Sequence, residues 1–309
     1  MGIDYSSPQS QHFLIVGLVR NGEKTISKEI RHLASVFRHF KNVHWFVVES
    51  DSSDGTLAQL EKLTQEVPHF RYRSAGVLAD QMPSRLVRLA HCRNLYLDEL
   101  RSNPLYKHIN YLVVADLDNM NPLLNEQAVL SCWDQTGWGG VCANQKGPYY
   151  DLGALRHPDW MPDDCWRHYQ FLLEHNHSEE SALEAAVYAN MITIAEGSPW
   201  IEVHSAFGGI AIYPTQALGN ARYAGHDDQG RDAVDHIGFH AGIRSNGYSV
   251  FINPKLINTS FNGHNQQLLE SRRLKKQFKK FFKLCNPAKL LPLLISKAKR
   301  IAQEKTFLD

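Results

Sequence analysis

The chain has 309 residues, of which 43% are hydrophobic and 21% charged, a composition that fits a globular protein and excludes fibrous and disordered chains. Its five cysteines are widely spaced and include no CxxC pair, which argues against a disulfide framework and a zinc site and favours a reducing cytoplasm. The formal net charge is +1, and neither a signal peptide nor an apolar run of about 18 residues indicates export or a membrane span.

Strand and helix patterns alternate through residues 1–120. Apolar runs rich in branched residues predict strands at residues 12–20, 43–50, 70–75 and 109–118. Apolar residues spaced three and four apart predict a helix at residues 26–37. A second helix is predicted to begin near Thr56 with Asp54 as its cap, and a third is predicted at residues 83–100 with Pro83 at its start. This alternation predicts βαβ units, and therefore an α/β fold with a mainly parallel sheet flanked by helices.

The second half of the chain is less regular. Residues 149–166 are rich in aromatic residues, proline and aspartate and follow neither period, so we expect a long loop that shapes a site. Beyond this loop the patterns predict helices at 178–191 and 233–244 and strands at 199–203, 208–213 and 248–254. There is no internal repeat and no Gly/Ser linker, so we expect one domain over residues 1–265 and a tail over residues 266–309.

Two carboxylates, Asp116 and Asp118, come at the end of the fourth predicted strand. Ligands of an open parallel sheet bind beyond the carboxyl ends of its strands, which is where these residues are expected. Two carboxylates separated by one residue can hold a hard divalent cation, and such a cation usually carries a diphosphate. Acidic pairs are also common in loops, so the alternative is a cap for a helix near Leu123.

The order of three blocks, ESDSSDGT, RLAHCRN and ADLDN, resembles that of glycosyltransferases with the GT-A fold. The resemblance covers residues 1–120 and implies a nucleotide-binding half there, with an acceptor-binding half over residues 121–265. It implies a nucleoside loop with Glu49, Asp51 and Asp54, a phosphate-side helix with Arg88, Arg93 and Asn94, and a site for Mn²⁺ or Mg²⁺ at Asp116 and Asp118. The alternatives are a polar turn for the first group and solvated helix positions for the arginines.

Motifs of the second half are similar to a narrower group, the fungal capsule-associated mannosyltransferases and their bacterial capsule and lipopolysaccharide relatives. The matching blocks are YYDLGALRHPDW, VHSAFGGIAIYP, VDHIGFH and FINPKLIN. Where those proteins often have Glu-His, this chain has Asp235 and His236. The resemblance implies transfer of a sugar from a UDP- or GDP-sugar to a hydroxyl of a capsule or lipopolysaccharide-type glycan or glycolipid.

Asp235 is the candidate general base, because a carboxylate that takes the acceptor proton assists attack on the anomeric carbon, and His236 is expected to support it. In an enzyme that retains stereochemistry, Asp235 would orient the substrate instead. A metal pair formed by His236 and His240, four residues apart on a helix, and a purely structural role for both are the alternatives.

The remaining candidates are expected near the sugars and the metal. Gly208 and Gly209 either relax a turn or let the backbone approach the donor sugar. His264 lies where many GT-A enzymes return a histidine to the metal or diphosphate, the alternative being an incidental loop residue. Sugar or acceptor contacts are expected from Tyr150, Asp151, Arg156 and Trp160, with core packing as an equal alternative for the aromatic residues.

The charge is unevenly distributed. From residue 271 onward twelve Lys or Arg residues stand against two acidic ones, which leaves the rest of the chain net negative. One helical stripe of this segment is apolar: Leu274, Phe278, Phe281 and Phe282. This pattern predicts a basic amphipathic helix on an anionic membrane surface, and so a cytoplasmic protein peripheral to the inner face of the membrane. A solvated helix docked on the protein is the alternative, and the acidic body argues against nucleic acid as the partner.

Two other functions fit parts of the sequence. A sugar nucleotidyltransferase shares a similar alternating sheet but usually has a Gly-rich loop with a basic residue after the first strand, of which GLVRNGEK is a poor version. A non-catalytic membrane-associated scaffold would use the basic tail alone.

Overall fold

The structure is a computed structural model that describes residues 3, 5 and 7–266 of the chain. The chain divides into two units, Met1–Asn262 and Gly263–Asp309. Only residues 263–266 of the second unit are described, so the predicted basic amphipathic helix lies outside the described residues. None of the helices in the described part is both long and apolar enough to span a bilayer.

The first unit alternates strands and helices along most of its length. The strands are β1 (His12–Val19), β2 (Asn42–Glu49), β3 (Phe70–Ser74), β4 (Tyr111–Ala115), β5 (Trp138–Gln145), β6 (Ile201–Val203), β7 (Ile210–Pro214) and β8 (Ser249–Thr259). The α-helices are α1 (Ile26–Val36), α2 (Thr56–Glu66), α3 (Arg85–Ser102), α4 (Glu126–Leu130), α5 (Cys165–Glu174), α6 (Glu179–Ala186), α7 (Thr215–Leu218) and α8 (Asp235–Ser245). Short 3-10 helices lie at Pro8–Ser10, Pro104–Tyr106, Ser131–Trp133 and Tyr188–Asn190.

The strands form one eight-stranded sheet in the order β3-β2-β1-β4-β7-β5-β8-β6. β1 pairs in parallel with β2 and β4, β2 with β3, and β5 with β8, whereas β7 lies antiparallel between β4 and β5 and β6 antiparallel to β8. Six strands therefore run in one direction, and their carboxyl ends meet at one edge. The predicted α/β fold with a mainly parallel sheet and flanking helices is confirmed.

Helices cover both faces of the sheet. On one face, α1 and α2 bury side chains such as Ile30 and Leu63 against Phe13 and Trp45 of the sheet. On the other face, α3 and α8 pack against each other and against strands of the sheet. The helices α1, α2 and α3 each follow the carboxyl end of a parallel strand, as βαβ connections require.

Several element boundaries differ from the sequence prediction. The strand β5 and the helix α5 were not predicted, and β8 continues to Thr259 instead of stopping at Pro254. β5 contains two consecutive glycines, Gly139 and Gly140, which break the apolar pattern of the strand. The packing explains the second glycine, because a Cβ at Gly140 would lie only 2.9 Å from the ring of Tyr213. β4 ends at Ala115, so Asp116 and Asp118 belong to the following loop rather than to the strand.

Candidate active site

The loop after β4 is fixed at the carboxyl edge of the sheet. The amide of Asp116 donates to the carbonyl of Gly209 at 2.8 Å, and the buried Asn121 donates from Nδ2 to the carbonyl of Asp116 at 2.7 Å. These bonds hold the backbone while the carboxylate of Asp116 stays one-third exposed and Asp118 is exposed. Both candidate metal ligands therefore lie on a loop whose backbone is held at this edge by hydrogen bonds.

Arg93 connects two parts of the site. Its side chain is 7% exposed, its Nε donates to Oδ2 of Asp235 at 2.8 Å, and its Nη2 lies 3.5 Å from Oδ1 of Asp116. The guanidinium carbon lies 5.3 Å and 5.6 Å from the ring centroids of Phe207 and Tyr223. One buried cation thus links the carboxylate that follows β4 with the carboxylate that begins α8.

Asp235 and His236 are both buried at the start of α8. Nδ1 of His236 lies 3.1 Å from Oδ1 of Asp235, and the imidazole stacks on the ring of Phe207 at 4.1 Å. Burial raises the pKa of Asp235, but Arg93 and His236 outweigh it and hold that pKa well below the usual range. Burial, followed by Arg93, lowers the pKa of His236. Asp235 is therefore a weak base whose oxygens are engaged by Arg93 and His236, which disfavours the predicted role of general base, and its contact with a substrate stays a prediction.

Negative charge exceeds positive charge around Asp116. Burial raises the pKa of Asp116 to about 7, Arg93 opposes this shift, and the carboxylates of Asp118, Asp151 and Asp235 add to it. Asp116 thus interacts with three other carboxylates and with one guanidinium. Carboxylate oxygens are the donors that Mn²⁺ and Mg²⁺ prefer, so this donor set suits a hard divalent cation.

The turn before β7 brings backbone close to the carboxylates. Gly208 and Gly209 have φ angles of 76° and 96°, a region that glycine adopts without strain. The amide of Gly208 donates to Oδ2 of Asp151 at 2.9 Å, and a Cβ at Gly209 would lie 3.1 Å from the hydroxyl of Tyr150. The glycines therefore serve the turn and also the close approach of Asp151 and Tyr150.

Glu49 shapes the loops that follow β2 and β3. Its carboxylate is buried, with Oε1 accepting from the amide of Ser52 at 3.0 Å and Oε2 from the hydroxyl of Ser74 at 2.5 Å. Both oxygens thus bind protein groups. Contact of Glu49 with a nucleoside stays a prediction.

Asp51 holds the segment that leads into α3. Its φ angle is 57°, and its Oδ1 accepts from the amides of Leu78 and Ala79, both at 2.8 Å. Burial raises the pKa of Asp51, but these amides and Arg88, 3.9 Å away, outweigh it and lower that pKa. Arg88 also donates to the carbonyls of Met82 and Pro83. Asp51 and Arg88 therefore fix residues 78–84 beside the predicted nucleoside loop.

Asp54 and Asn94 bind neighbouring backbone. Asp54 is exposed, and its carboxylate accepts from the amides of Thr56 at 3.0 Å and Glu23 at 3.2 Å. Asn94 exchanges two hydrogen bonds with the backbone of Tyr223, at 2.9 Å and 3.0 Å. Asp54 thus joins the loops after β1 and β2, and Asn94 holds Tyr223 over Arg93.

Arg156 and Trp160 stabilise the long loop. Nη2 of Arg156 lies 2.6 Å from Oδ2 of Asp164, and its Nη1 donates to the carbonyl of Gly153 at 3.0 Å. The indole N–H of Trp160 donates to the carbonyl of Asn190 at 2.8 Å. The polar groups of both residues are thus bound within the loop region, and their contact with a sugar stays a prediction.

The histidines differ in their surroundings. Both ring nitrogens of His240 are engaged, Nδ1 with Ser205 at 3.0 Å and Nε2 with Tyr213 at 2.9 Å, which disfavours the metal pair with His236. His264 belongs to the second unit, and its role as a metal ligand stays a prediction. Within residues 3, 5 and 7–266, no three His, Cys, Asp or Glu side chains form a complete metal-binding group.

A polar network beneath the loop was missed by sequence reasoning. Nδ2 of the buried Asn258 donates to the carbonyl of Gly208 at 2.8 Å and to Oδ1 of Asn121 at 3.1 Å. Asn121 in turn donates to Glu29 at 3.0 Å. The available signal was an asparagine inside an apolar strand, which must satisfy its amide when it is buried.

No protein-family model and no curated protein matches the chain. A mannosyltransferase, PcManGT from Pyrobaculum calidifontis in complex with GDP-Man and Mn²⁺, is similar in structure with a TM-score of 0.49 and 14% identity, over 96% of this chain and 71% of that chain. TarS from S. aureus in complex with UDP-GlcNAc gives a TM-score of 0.47 and 13% identity, over 82% of this chain and 60% of that chain. Glucosyl-3-phosphoglycerate synthase from Mycobacterium tuberculosis in complex with UDP gives a TM-score of 0.40 and 12% identity, over 81% of this chain and 69% of that chain.

Proposed function

We propose that this chain is a metal-dependent glycosyltransferase of the GT-A type, which moves a sugar from a nucleotide-sugar donor to a hydroxyl of an acceptor glycan. The observation that carries the proposal is the place of Asp116 and Asp118. The strand order reverses between β1 and β4, and these carboxylates directly follow β4. Nucleotides bind to open α/β sheets at such a reversal, beyond the carboxyl ends of the strands.

Asp116 and Asp118 would hold Mn²⁺ or Mg²⁺, with diphosphate oxygens and water completing the coordination. When bound, the ion offsets the negative charge of the departing nucleoside diphosphate. The excess of carboxylates around Asp116 supports a cation at this place. His264 is proposed as a further ligand on the resemblance alone.

Arg93 and Asp235 have complementary roles in this proposal. Asp235 holds the guanidinium of Arg93 by a 2.8 Å bond, so that Nη2 faces Asp116. Arg93 can then orient Asp116, and Asp235 acts through Arg93 as a positioning residue. In this proposal residues 78–83, which are hydrogen-bonded by Asp51 and Arg88, would line the nucleotide side of the site.

The loop after β1 disfavours a nucleotidyltransferase. Its amides at Asn21, Gly22 and Glu23 donate to the side chains of Ser52, Thr56 and Asp54, at 3.0, 2.8 and 3.2 Å respectively. Three consecutive amides are thus bound to the neighbouring loop and are not presented to a phosphate, unlike those of a phosphate-cradling loop. A nucleotidyltransferase would release pyrophosphate, whereas the proposed enzyme releases a nucleoside diphosphate.

The finer proposals rest on the sequence motifs. The donor is a UDP- or GDP-sugar, and the acceptor is a capsule or lipopolysaccharide-type glycan or glycolipid, as the second resemblance implies. The basic tail over residues 266–309 would place the enzyme on an anionic membrane surface, close to a lipid-linked acceptor.

The test is titration of the protein with UDP-, GDP- and CMP-sugars, with and without Mn²⁺, followed by an assay for released nucleoside diphosphate. Asp116→Asn and Asp118→Asn should each abolish turnover and weaken Mn²⁺-assisted nucleotide binding. Asp134→Asn is the matched control, because Asp134 forms a surface ion pair with Lys255. Full activity in both site variants would contradict the proposal, and no response of the native protein to any nucleotide would favour a scaffold.

A further inference from the structure

Trp166 stands out among the six tryptophans of the chain. It is 48% exposed, whereas Trp45 and Trp138 are buried and the other three are half-buried. Its indole N–H has no hydrogen-bond acceptor among the described residues, although that of Trp160 is bound by Asn190. A large aromatic surface with a free polar edge is a common way to bind a ligand that is apolar on one face and polar at its rim.

The edge of the indole lies near the backbone of Gly153, in the loop that holds Asp151. A Cβ on Gly153 would lie 3.3 Å from Nε1 of Trp166 and 3.3 Å from a methyl group of Val234. Gly153 is two residues from Asp151, and Val234 directly precedes Asp235. Because Gly153 has no side chain, the ring edge can approach the backbone of the loop that holds Asp151.

The backbone of Trp166 is held by the residue that caps the start of α5. Asp164 caps α5 by accepting from the amides of Trp166 at 2.8 Å and Arg167 at 3.3 Å. The other oxygen of Asp164 is bound by Arg156, which also grips the carbonyl of Gly153. Arg156, one of the residues predicted as sugar contacts, thus helps Asp164 to hold the backbone of this tryptophan, and a rigid platform loses little entropy on binding.

We propose that Trp166 is the stacking platform for a saccharide ring of the acceptor, a proposal that rests on the function proposed above. A sugar ring offers an apolar C–H face to the indole and hydroxyl groups at its rim that can accept from the indole N–H. A docked protein or lipid would need a contiguous apolar surface. The other exposed aromatic residue of α5, Phe171, is five residues further, roughly 140° around the helix, and packs on His175.

The first experiment measures quenching of tryptophan fluorescence by acrylamide, a neutral quencher that the carboxylates do not repel. The fluorescence of Trp166→Phe, which keeps the other five tryptophans, is subtracted from that of the native protein to give the contribution of Trp166. Methyl glycosides of mannose, glucose, galactose and xylose, and a trisaccharide, are added with the nucleoside diphosphate and Mn²⁺. At least one saccharide should protect Trp166 from quenching. Protection by none of them, in a protein that binds a nucleotide sugar, overturns the proposal.

The second experiment uses kinetics with the saccharide that accepts the sugar. Trp166→Ala should raise KM for that acceptor about tenfold, and Trp166→Phe should recover most of the loss. Phe171→Ala is the matched control and should behave as the native protein. An unchanged acceptor KM in Trp166→Ala, or an equal rise in Phe171→Ala, contradicts the platform.

Calorimetry with UDP- and GDP-sugars and Mn²⁺ separates the two proposals. If the native protein binds no donor, the glycosyltransferase proposal fails and with it the role of the saccharide as acceptor, while protection of Trp166 would still show that its indole binds a saccharide ring. Donor binding without saccharide protection leaves the enzyme proposal standing and removes the platform.

Discussion

Arg93 satisfies two carboxylates that come from different elements. Its Nε binds Asp235 at the start of α8 and its Nη2 faces Asp116 after β4, while the rings of Phe207 and Tyr223 cover its faces. A lysine has a single point of charge and no planar faces, so it cannot replace these contacts together. The site therefore depends on the shape of this guanidinium as well as on its charge.

Replacing Arg93 should destabilise the whole first unit. In Arg93→Met the buried Asp235 loses its main cation, and the free energy of unfolding should fall by about 3–5 kcal/mol. Arg222→Met is the matched control, because Arg222 pairs with Asp98 on the surface, where both side chains are about half exposed, and a loss of about 0–1 kcal/mol is expected. Urea unfolding of both variants measures the difference, and equal losses would refute this account of Arg93.

His240 should make stability depend on pH. Burial, followed by His236, holds the pKa of His240 well below its usual value, so the unfolded chain takes up a proton at a higher pH than the folded one. This contribution is fully present above the unfolded pKa of about 6.5 and is lost as pH falls below it, at up to about 1.4 kcal/mol per pH unit. His240→Gln should flatten the slope of unfolding free energy between pH 7 and 5. An unchanged slope would rule out His240 as its source.

At the scale of elements, regular segments were predictable and interrupted ones were not. β1, α1, β2 and α2 follow from simple periodicity, because each buries one stripe or a continuous apolar run. β5 was missed because Gly139 and Gly140 weaken the pattern, yet Tyr248 and Tyr213 occupy the space that their side chains would need. This strand forms because its glycines pack against Tyr213 and Tyr248, which are distant in the sequence, and the periodicity of residues 138–145 contains no information about these contacts.

The same limit applies to the site. Asp116 and Asp118 were predictable from their place after an apolar run, because strand ends are where ligands bind. The pairing of Arg93 with Asp235 joins residues 142 positions apart and needs the packing of α3 on α8. Sequence reasoning placed Arg93 near the phosphates and Asp235 near the acceptor but gave no reason to connect the two residues.

The turn before β7 should tolerate no side chain at Gly209. In Gly209→Ala the Cβ would lie 2.8 Å from Nδ2 of Asn258, and the φ angle of 96° adds strain of about 1–3 kcal/mol. Gly230→Ala is the matched control, because its φ angle is 74° and a Cβ there meets no atom within 4 Å. Gly209→Ala should therefore unfold at lower urea and bind donor more weakly than Gly230→Ala. Equal behaviour would show that crowding at Gly209 is unimportant.

At the scale of the whole molecule, the sheet order determines what the site can contain. β1, β2 and β3 build the sheet in one direction, and β4 returns to the other side of β1. β7 then enters antiparallel beside β4, which puts Gly208 and Gly209 next to Asp116. The sequence predicts strands but not their order, so the neighbourhood of Asp116 could not be read from it.

Donor binding at this edge should stabilise the entire first unit, because a ligand that binds only the folded state raises its stability by RT ln(1 + [L]/Kd). At a concentration of about 100 Kd the gain is about 2.7 kcal/mol, which should raise the melting temperature by several degrees in a chain of this size. The rise should require Mn²⁺, disappear with EDTA and be absent in Asp118→Asn, whose exposed carboxylate can be changed with little effect on folding. Asp134→Asn should keep it, since its surface ion pair with Lys255 takes no part in the proposed site. A shift of equal size in EDTA, or in Asp118→Asn with Mn²⁺, would mean that the nucleotide binds without a metal held by the loop after β4.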